Sequence, residues 1–302
     1  MVSIIVPTIG RPKYFVDTIR SILAQTYSHL QILISDNAPE VASAPLLVAA
    51  GISDARIDMV NRLERLDFSA HMNACLAEVR GTYVMILSDD DQITPGYVEE
   101  MVQVMQLRTE VIVCLGRQIR INEHDIGVMP NILSDSPQSI FDGVAFLKGS
   151  LSNNLQTGVL TYISMFARKS DILQAGGFKH YPDGSHADNF IIFNLALRGN
   201  VVLSRNLMFY RVYLSSSGLK TPFSALLEST KAYTRDSALL LNAAPAVTKN
   251  DKSLLLYLLK SNNVWLLLSR IRHVYWCRLS VVGLISYILQ VARFKFTPTE
   301  SL

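Results

Sequence analysis

The stretch Val84-Met-Ile-Leu-Ser-Asp-Asp-Asp-Gln-Ile-Thr-Pro95 joins four apolar residues to three consecutive carboxylates. Its apolar start predicts a short buried strand over 84–87, and Pro95 with Gly96 marks a turn before a helix over Tyr97–Leu107. Adjacent carboxylates repel one another, so holding them together costs free energy. A hard divalent cation, Mg²⁺ or Mn²⁺, relieves that repulsion.

The three carboxylates Asp89, Asp90 and Asp91 follow the carboxyl end of the predicted strand, where open α/β sheets bind their ligands. An acidic cluster at this edge is placed to hold a metal ion, and the metal to hold a phosphate. A simpler interpretation is a solvated acidic turn that favours the dipole of the following helix. The buried strand and the N-terminal pattern favour the metal site.

The first forty residues predict a strand over Val2–Val6, a helix over Lys13–Thr26 and a second strand over Gln31–Ser35, which ends at Asp36. This βαβ spacing is typical of a nucleotide-binding half, and a carboxylate at the strand tip can accept hydrogen bonds from a base or ribose. The sequence contains neither GxGxxG nor GxxxxGK[ST], which disfavours that type of dinucleotide fold and excludes a P-loop.

Composition bounds the remaining possibilities. The chain has 302 residues, is 49% hydrophobic and carries a formal net charge of +3, too little to argue for nucleic-acid binding. Residues 251–302 hold seven cations and two carboxylates, so the basic excess lies in the tail. Three scattered cysteines and the absence of a signal-peptide pattern favour a reduced, intracellular protein.

The middle of the chain predicts strands over 111–115 and 118–121, a polar loop over 122–137, and helices over 141–151 and 189–197. Asp188 stands at the start of the last of these helices. For an isolated aspartate, the simpler interpretation there is an N-cap.

Residues 2–97 resemble the N-terminal half of the family 2 glycosyltransferases, inverting enzymes with the GT-A fold. The matching pieces occur in family order at family spacing: Ser3-Ile-Ile-Val-Pro-Thr8, Arg11, Ser21-Ile-Leu-Ala-Gln-Thr26, Ile32-Leu-Ile-Ser-Asp36, His71-Met-Asn73 and Gly81-Thr-Tyr-Val-Met-Ile-Leu-Ser-Asp-Asp-Asp91. Each piece alone is weak evidence, and together they are strong.

The resemblance implies a role for each matching residue. Asp90 and Asp91 would bind the metal, and Asp188, which follows a Gly-Gly-Phe segment at about the family distance, would be the catalytic base. The residues implied to bind the donor are Pro7, Thr8, Arg11, Asp36, Asn73 and Asp89.

Three departures from the family pattern affect these assignments. The family form Leu-Asp-x-Asp-Asp reads Leu87-Ser-Asp-Asp-Asp91 here, and the usual Glu-Asp pair reads Ala187-Asp188. A histidine that family members often carry near the closing strand is replaced by Tyr213, leaving Arg211 or Lys220 as candidate phosphate partners.

The tail is apolar with spaced cations and contains Trp and Tyr residues. Its last apolar run, 279–292, would reach about 21 Å as a helix, short of the roughly 30 Å hydrocarbon core. Basic amphipathic helices of this kind fit a membrane surface. The alternatives are packing against the catalytic domain or against a second copy in a homo-oligomer.

The sequence therefore predicts an α/β GT-A (Rossmann-like) fold with a mixed, mostly parallel sheet and helices on both faces. We expect a nucleotide-sugar-binding and catalytic domain over 1–220 and a helical C-terminal extension over 221–302. The expected activity is Mn²⁺- or Mg²⁺-dependent transfer from a nucleotide-diphosphate sugar to a glycan or lipid-linked glycan acceptor. It would build bacterial surface polysaccharide at the cytoplasmic face of the membrane.

Two other functions stay open. A sugar nucleotidyltransferase also uses paired aspartates and Mg²⁺, but it normally has a glycine-rich, basic loop after the first strand, for which 7–11 is a poor match. A non-catalytic glycan- or nucleotide-binding scaffold derived from the same fold would explain the replaced Glu and His.

Overall fold

A mixed β-sheet runs through the protein and carries helices on both faces. The computed structural model describes residues 1–9, 12–38, 43–121, 137–152, 165–211, 222–271 and 281–299. Within these residues the strands are β1 (Val2–Thr8), β2 (Leu30–Asp36), β3 (Ile57–Asn61), β4 (Tyr83–Ile86), β5 (Gln92–Ile93), β6 (Val111–Ile121), β7 (Ser139–Phe141), β8 (Met165–Arg168) and β9 (Asn200–Arg211).

The helices alternate with these strands and continue past the sheet into the C-terminal region. They are α1 (Pro12–Leu23), α2 (Ala44–Ala49), α3 (Phe68–Glu78), α4 (Tyr97–Leu107), α5 (Gly143–Leu151), α6 (Lys169–Gln174), α7 (Ala187–Ala196), α8 (Phe223–Ala243), α9 (Lys249–Arg270) and α10 (Val281–Phe296).

The strand order in the described sheet is β3-β2-β1-β4-β8-β6-β9-β5, with β7 also paired to β9. Strands β1 to β4 pair in parallel. Strand β8 lies between β4 and β6 and is antiparallel to both. In this register Thr8 lies beside Asp36, and Ile5 lies beside Ile86. The ends of β1, β2 and β4 therefore meet at one edge, as expected for parallel strands.

The sheet separates two hydrophobic clusters because successive side chains on a strand point to opposite faces. On β4, Val84 and Ile86 belong to one cluster, whereas Met85 and Leu87 belong to the other. The first cluster also contains Tyr233 and Leu241 of α8 and two leucines of α9. The core of the sheet is thus continuous with the C-terminal helices. The expected domain boundary at residue 220 lies outside the described residues and stays a prediction.

Two predicted strands, 111–115 and 118–121, form the single strand β6. The pairing with β9 shifts register between Leu115 and Arg117. A Cβ at Gly116 would lie 2.4 Å from the Tyr97 ring. Gly116 therefore lets the buried Tyr97 ring pack against the strand without ending it. The predicted break between residues 115 and 118 falls at this glycine.

Two predicted helices each extend beyond the structural helix at one end. Helix α1 stops at Leu23 rather than at Thr26, because the Thr26 main-chain N–H donates to the Pro95 carbonyl at 2.9 Å. Helix α5 begins at Gly143 rather than at residue 141, because Asp142 caps it and the preceding residues pair with β9. The predicted loop 122–137 lies outside the described residues except for its last position.

Candidate active site

The residues Ser88–Asp91 form an acidic turn directly after β4, and the turn is buried. The exposed fractions of Asp89, Asp90 and Asp91 are 0%, 6% and 3%. The Asp91 main-chain N–H donates to the Ser88 carbonyl at 3.2 Å and closes the turn. Because buried carboxylates need hydrogen-bond donors or cations around them, the neighbours of this turn matter for what it can bind.

Strand β1 supplies one of these neighbours. The Thr8 hydroxyl donates to Asp89 Oδ2 at 2.6 Å. Pro7, one residue earlier, lies opposite Ser35 of β2. The parallel pairing therefore brings three of the predicted donor residues, Pro7, Thr8 and Asp89, to the same edge of the sheet.

Strand β9 supplies the second neighbour through Arg211. Its main-chain N–H donates to Asp91 Oδ1 at 3.0 Å, and its guanidinium donates to the Asp90 carbonyl. The guanidinium carbon lies 4.2 Å from the centre of the Tyr14 ring, within cation–π range. A buried cation thus lies against the acidic turn, on a residue that the sequence suggested as a phosphate partner.

Asp36 ends β2 and is 2% exposed. Its Oδ2 accepts hydrogen bonds from the Ser43 main-chain N–H at 2.7 Å and from the Ser43 hydroxyl at 2.8 Å, and its Oδ1 accepts from the Ala38 N–H at 3.2 Å. The carboxylate therefore holds together the start and end of the segment between β2 and α2. It lies beside Thr8 at the edge where the sequence expected it.

Asn73 lies on α3, and its amide contacts the main chain of Phe178. Its Nδ2 donates to the Phe178 carbonyl at 2.8 Å, and its Oδ1 accepts from the Phe178 N–H at 2.9 Å. Gly177 has a φ of +67°, and a Cβ there would lie 2.5 Å from Asn73 Oδ1. Asn73 therefore clamps the glycine turn after α6. The donor role implied by the resemblance stays a prediction.

Asp188 is the second residue of α7 and is half-buried. Its Oδ1 accepts the Asn189 main-chain N–H at 2.9 Å. The N-cap position is occupied by His186, so the simpler interpretation of Asp188 as the N-cap is wrong. A carboxylate in the first turn is still favoured by the helix dipole.

Helix α8 packs beside the start of α7, which the sequence did not predict. The His186 ring stacks on the Tyr233 ring, with centroids 4.7 Å apart and planes 6° apart. Burial raises the pKa of Tyr233, and the negative charge of Asp188 raises it further. The available signal was the i, i+3, i+4, i+7 spacing of the small and aromatic polar residues Thr230, Tyr233, Thr234 and Ser237.

Some predicted positions cannot be placed. Arg11, Tyr213 and Lys220 lie outside the described residues. Within the part of the chain that is described, no group of three or more His, Cys, Asp or Glu side chains is arranged to hold a metal ion. Over the same residues, no helix is both long and apolar enough to cross a membrane.

The family model for glycosyl transferase family 2 matches residues 3–167, more than half of the chain. The chain belongs to glycosyl transferase family 2. The match covers β1 to β8, including the acidic turn and the residues that hold it, and stops before Asp188. The resemblance drawn from the sequence motifs is confirmed.

Curated bacterial glycosyltransferases match part of the chain. The glycosyltransferase GlyG of Streptococcus pneumoniae serotype 4 is 24% identical over 125 residues, which cover 41% of this chain and 41% of GlyG. TuaG of Bacillus subtilis (strain 168), whose name refers to teichuronic acid biosynthesis, is 28% identical over 109 residues, covering 36% and 43%. The chain therefore spans less than half the length of these relatives.

Solved structures resemble the whole chain in fold at low sequence identity. S. aureus TarS 1–349 in complex with UDP-GlcNAc superposes with a TM-score of 0.72 at 12% identity, covering 97% of this chain and 80% of TarS. The mannosyltransferase PcManGT of Pyrobaculum calidifontis, in complex with GDP-Man and Mn²⁺, has a TM-score of 0.57 at 14% identity, covering 99% and 81%. These likenesses confirm the expected GT-A fold, including a helical C-terminal region.

Proposed function

We propose that the protein is an inverting glycosyltransferase that moves a sugar from a nucleotide-diphosphate sugar to an acceptor hydroxyl. One observation carries the proposal: a buried acidic turn is hydrogen-bonded to Thr8 at the edge where β1, β2 and β4 end. Edges of this kind bind nucleotides in α/β sheets. TarS is known in complex with UDP-GlcNAc and PcManGT in complex with GDP-Man, which supports the same donor class here.

The donor would lie along the ends of β1 and β2. Pro7, Thr8 and Asp36 would contact the nucleoside, and Asp89 would contact the ribose. Hydrogen bonds from neighbouring residues already hold the carboxylates of Asp36 and Asp89 in place, so little ordering is needed when the donor binds. For Arg11 and Asn73, a donor role rests on the resemblance alone.

The acidic turn suits a divalent cation that is shared with the donor. Hard oxygen ligands fit Mg²⁺ or Mn²⁺, and Mg²⁺ in nucleotide sites is usually held by one or two carboxylates together with phosphates and water. Asp90 and Asp91 would supply those carboxylates. When bound, the cation would neutralise charge on the leaving diphosphate. The guanidinium of Arg211, held against Asp90, would add positive charge on the same side.

Asp188 would act as the base. An acceptor hydroxyl has a pKa far above 7, so a carboxylate must take its proton as the hydroxyl attacks the sugar. Proton removal on one side of the sugar and departure of the diphosphate on the other give inversion in one displacement. The bond from the Asn189 N–H to Asp188 Oδ1 keeps the carboxylate fixed at the helix start.

The test is Asp188→Asn, which keeps the shape of the side chain and removes its basicity. We expect nucleotide-sugar binding to stay within about two-fold and turnover to fall at least roughly a thousand-fold. Asp171→Asn is the matched control, because Asp171 also lies in the first turn of a short helix, α6. An Asp188→Asn enzyme with normal turnover would assign the base to another residue.

The donor itself can be identified by thermal stabilisation with UDP, GDP, CDP and dTDP, each with and without Mn²⁺, because a ligand that binds the folded state raises its melting temperature. We expect one nucleotide to stabilise the protein more than the others, and more strongly with Mn²⁺. Binding without transfer or donor hydrolysis by the native chain would favour the non-catalytic scaffold.

The C-terminal helices α9 and α10 would hold the enzyme at an anionic membrane surface, where it would use a lipid-linked glycan acceptor in surface polysaccharide synthesis. Each helix buries one face against the protein and exposes apolar side chains on the other. The exposed set comprises Leu254, Tyr257, Trp265 and Leu268 of α9 and Ile285, Ile288, Leu289 and Phe296 of α10. Arg270, Arg293 and Lys295 lie in the last turns of these helices, and such cations favour anionic lipid.

Membrane binding is tested with the double variant Trp265→Ser, Phe296→Ser in sedimentation with phosphatidylglycerol vesicles. We expect at least roughly ten-fold weaker binding, because two exposed aromatic side chains no longer enter the interface. Leu63→Ser, which changes an apolar residue that is 98% exposed on the donor side, should bind as the native chain does. Unchanged sedimentation of the double variant would contradict this orientation. If the native chain is a dimer and the double variant is a monomer, the exposed face contacts a second copy instead.

A further inference from the structure

His186 adopts a backbone conformation that is costly for its residue type. Its φ is 66°, and it is the only non-glycine residue with positive φ in the described part of the chain. The left-handed region brings the Cβ of an L-residue too close to the following carbonyl oxygen. Such a conformation persists only where the surroundings hold it, and it is found most often at functional sites.

The surroundings that hold His186 come from α8. Its ring is 4% exposed and stacks on Tyr233, and its Nε2 lies 3.0 Å from the Thr230 hydroxyl oxygen. The Thr230 hydroxyl already donates to the Leu226 carbonyl at 2.7 Å, so its oxygen accepts from the histidine. This assigns the ring proton to Nε2.

The loop before α7 is tied to the same helix. The Asp183 main-chain N–H donates to the Ser229 hydroxyl at 3.2 Å, and the Tyr181 hydroxyl donates to Asp236 Oδ2 at 3.2 Å. Helix α8 therefore contacts this loop before the chain reaches His186. Because α8 belongs to the C-terminal helices, these contacts lie outside the part of the chain that carries the family motifs.

Residue 186 also sets the direction of α7. Its carbonyl accepts the Phe190 N–H at 2.8 Å, the first hydrogen bond of the helix, and Asp188 follows two residues later. If residue 186 relaxed to a right-handed or extended conformation, the chain would enter α7 at another angle. The Asp188 carboxylate would then move relative to a bound donor.

We propose that His186 and Tyr233 are positioning residues for Asp188: α8 holds residue 186 in the left-handed conformation and so fixes where α7 presents its carboxylate. The proposal rests on the proposed role of Asp188 as the base. It makes the C-terminal helical region part of the catalytic machinery, because the acceptor-side carboxylate is aligned only when α8 is docked.

The test compares His186→Asn, His186→Ala and Tyr233→Leu by turnover and by donor affinity. We expect Tyr233→Leu and His186→Ala to lower kcat by roughly ten- to a hundred-fold, the effect of a small misplacement of a reacting group. Donor affinity should stay within about two-fold. His186→Asn should keep more activity than His186→Ala, because asparagine adopts the left-handed conformation more readily.

Tyr287→Leu is the matched control, because Tyr287 stacks on Phe223 of the same helix with ring centres 4.2 Å apart, away from α7. It should lose stability without losing kcat on a soluble acceptor. Equal activity of His186→Asn and His186→Ala, or native kcat in a folded Tyr233→Leu, would overturn the proposal. If Tyr233→Leu does not fold, the two His186 variants decide. Asp188→Asn, measured alongside, separates this failure from a wrong base.

Discussion

Two regions of the molecule are each fixed by an asparagine amide that makes two hydrogen bonds to a main chain. The sequence separation of the paired residues differs greatly between the two regions. Beside Asp36, on the proposed donor side, the Asn37 amide makes two hydrogen bonds of 2.9 Å to the main chain of Leu66. In the segment that leads to Asp188, on the proposed acceptor side, the Phe178 main chain makes the equivalent pair with the Asn73 amide at 2.8 and 2.9 Å. The first pair joins residues 29 positions apart, and the second joins residues 105 positions apart.

The difference extends to the carboxylates on each side. Those of the donor side, Asp36 and Asp89, are buried and bonded within the strands and loops that carry the family motifs. Asp188 is half-buried, and His186, at the start of its helix, stacks on Tyr233 of α8. The donor side is thus assembled by one local unit, whereas the acceptor side needs distant parts of the chain. Changes on the two sides should affect different steps.

On the donor side, the largest effect is expected from Asp90→Asn. The variant keeps the shape of the turn and lowers its negative charge, so a divalent cation and the diphosphate should be held less well. We expect turnover to fall roughly a thousand-fold and the Mn²⁺ dependence of donor affinity to disappear. Both are measured by steady-state transfer and by nucleotide titration with and without Mn²⁺.

Asp58→Asn is the control for Asp90→Asn. Asp58 lies on β3 of the same sheet and pairs with Arg80 and Gln31, away from the acidic turn. It should alter stability slightly and leave transfer unchanged. Native turnover in Asp90→Asn would remove the distinction between the two edges, because the donor side would then not depend on its acidic turn.

The donor side was largely predictable from the sequence, for a physical reason. Its strands are short apolar runs that stop at polar residues, and parallel pairing brings their ends together. The tip of β2 at Asp36 and the acidic turn at Asp89–Asp91 could therefore be placed at one edge from the sequence alone. Helix α4 begins and ends where the apolar pattern predicted it.

The acceptor side was much less predictable. The expected helical extension over 221–302 includes α8, but nothing in the sequence pattern shows that Thr230 and Tyr233 face the start of α7. The left-handed conformation of His186 has no signal in the sequence, because histidine adopts it only where packing compensates the cost. The clamp between Asn73 and Phe178 likewise depends on a contact across the fold.

The next effect is the pH dependence of stability, which involves His71 on the donor side and His186 on the acceptor side. Burial, and then the Arg62 cation, lower the pKa of His71 to about 4, and burial lowers the pKa of His186 to about 4. Both are neutral when folded and accept a proton more readily when unfolded. Stability is therefore complete above about pH 6.5 and is lost as the pH falls toward about 4. Each histidine should cost about 2 kcal/mol by pH 5.

Urea unfolding at pH 7, 6 and 5 measures this loss. The unfolding free energy should decline less steeply with falling pH in His71→Gln and in His186→Asn. In each variant the slope should fall by at most the contribution of one proton taken up on unfolding. Equal changes of this slope in the two variants would mean that both histidine rings are equally shielded from water in solution. A native slope in His186→Asn alone would mean that the acceptor side already admits water to that ring.

The smallest effect on stability, and the one that separates the two edges most directly, comes from the clamps. Asn37→Ala and Asn73→Ala each remove one amide and two hydrogen bonds, so both should lower the free energy of unfolding by about 1–2 kcal/mol. Their kinetic effects should differ. Asn37→Ala should weaken donor binding, because it loosens the segment that follows Asp36. Asn73→Ala should lower turnover on a saturating donor, because it loosens the turn that leads toward Asp188.

Each clamp variant is the control for the other, since the lost contacts are matched in number and length. Donor titration and kcat at saturating donor, measured at a temperature where both variants are folded, give the comparison. If Asn73→Ala mainly weakened donor binding, Asn73 would contact the donor, as the family resemblance implies. The acceptor side would then depend on α8 alone for its alignment, since the contact from α3 would serve the opposite edge.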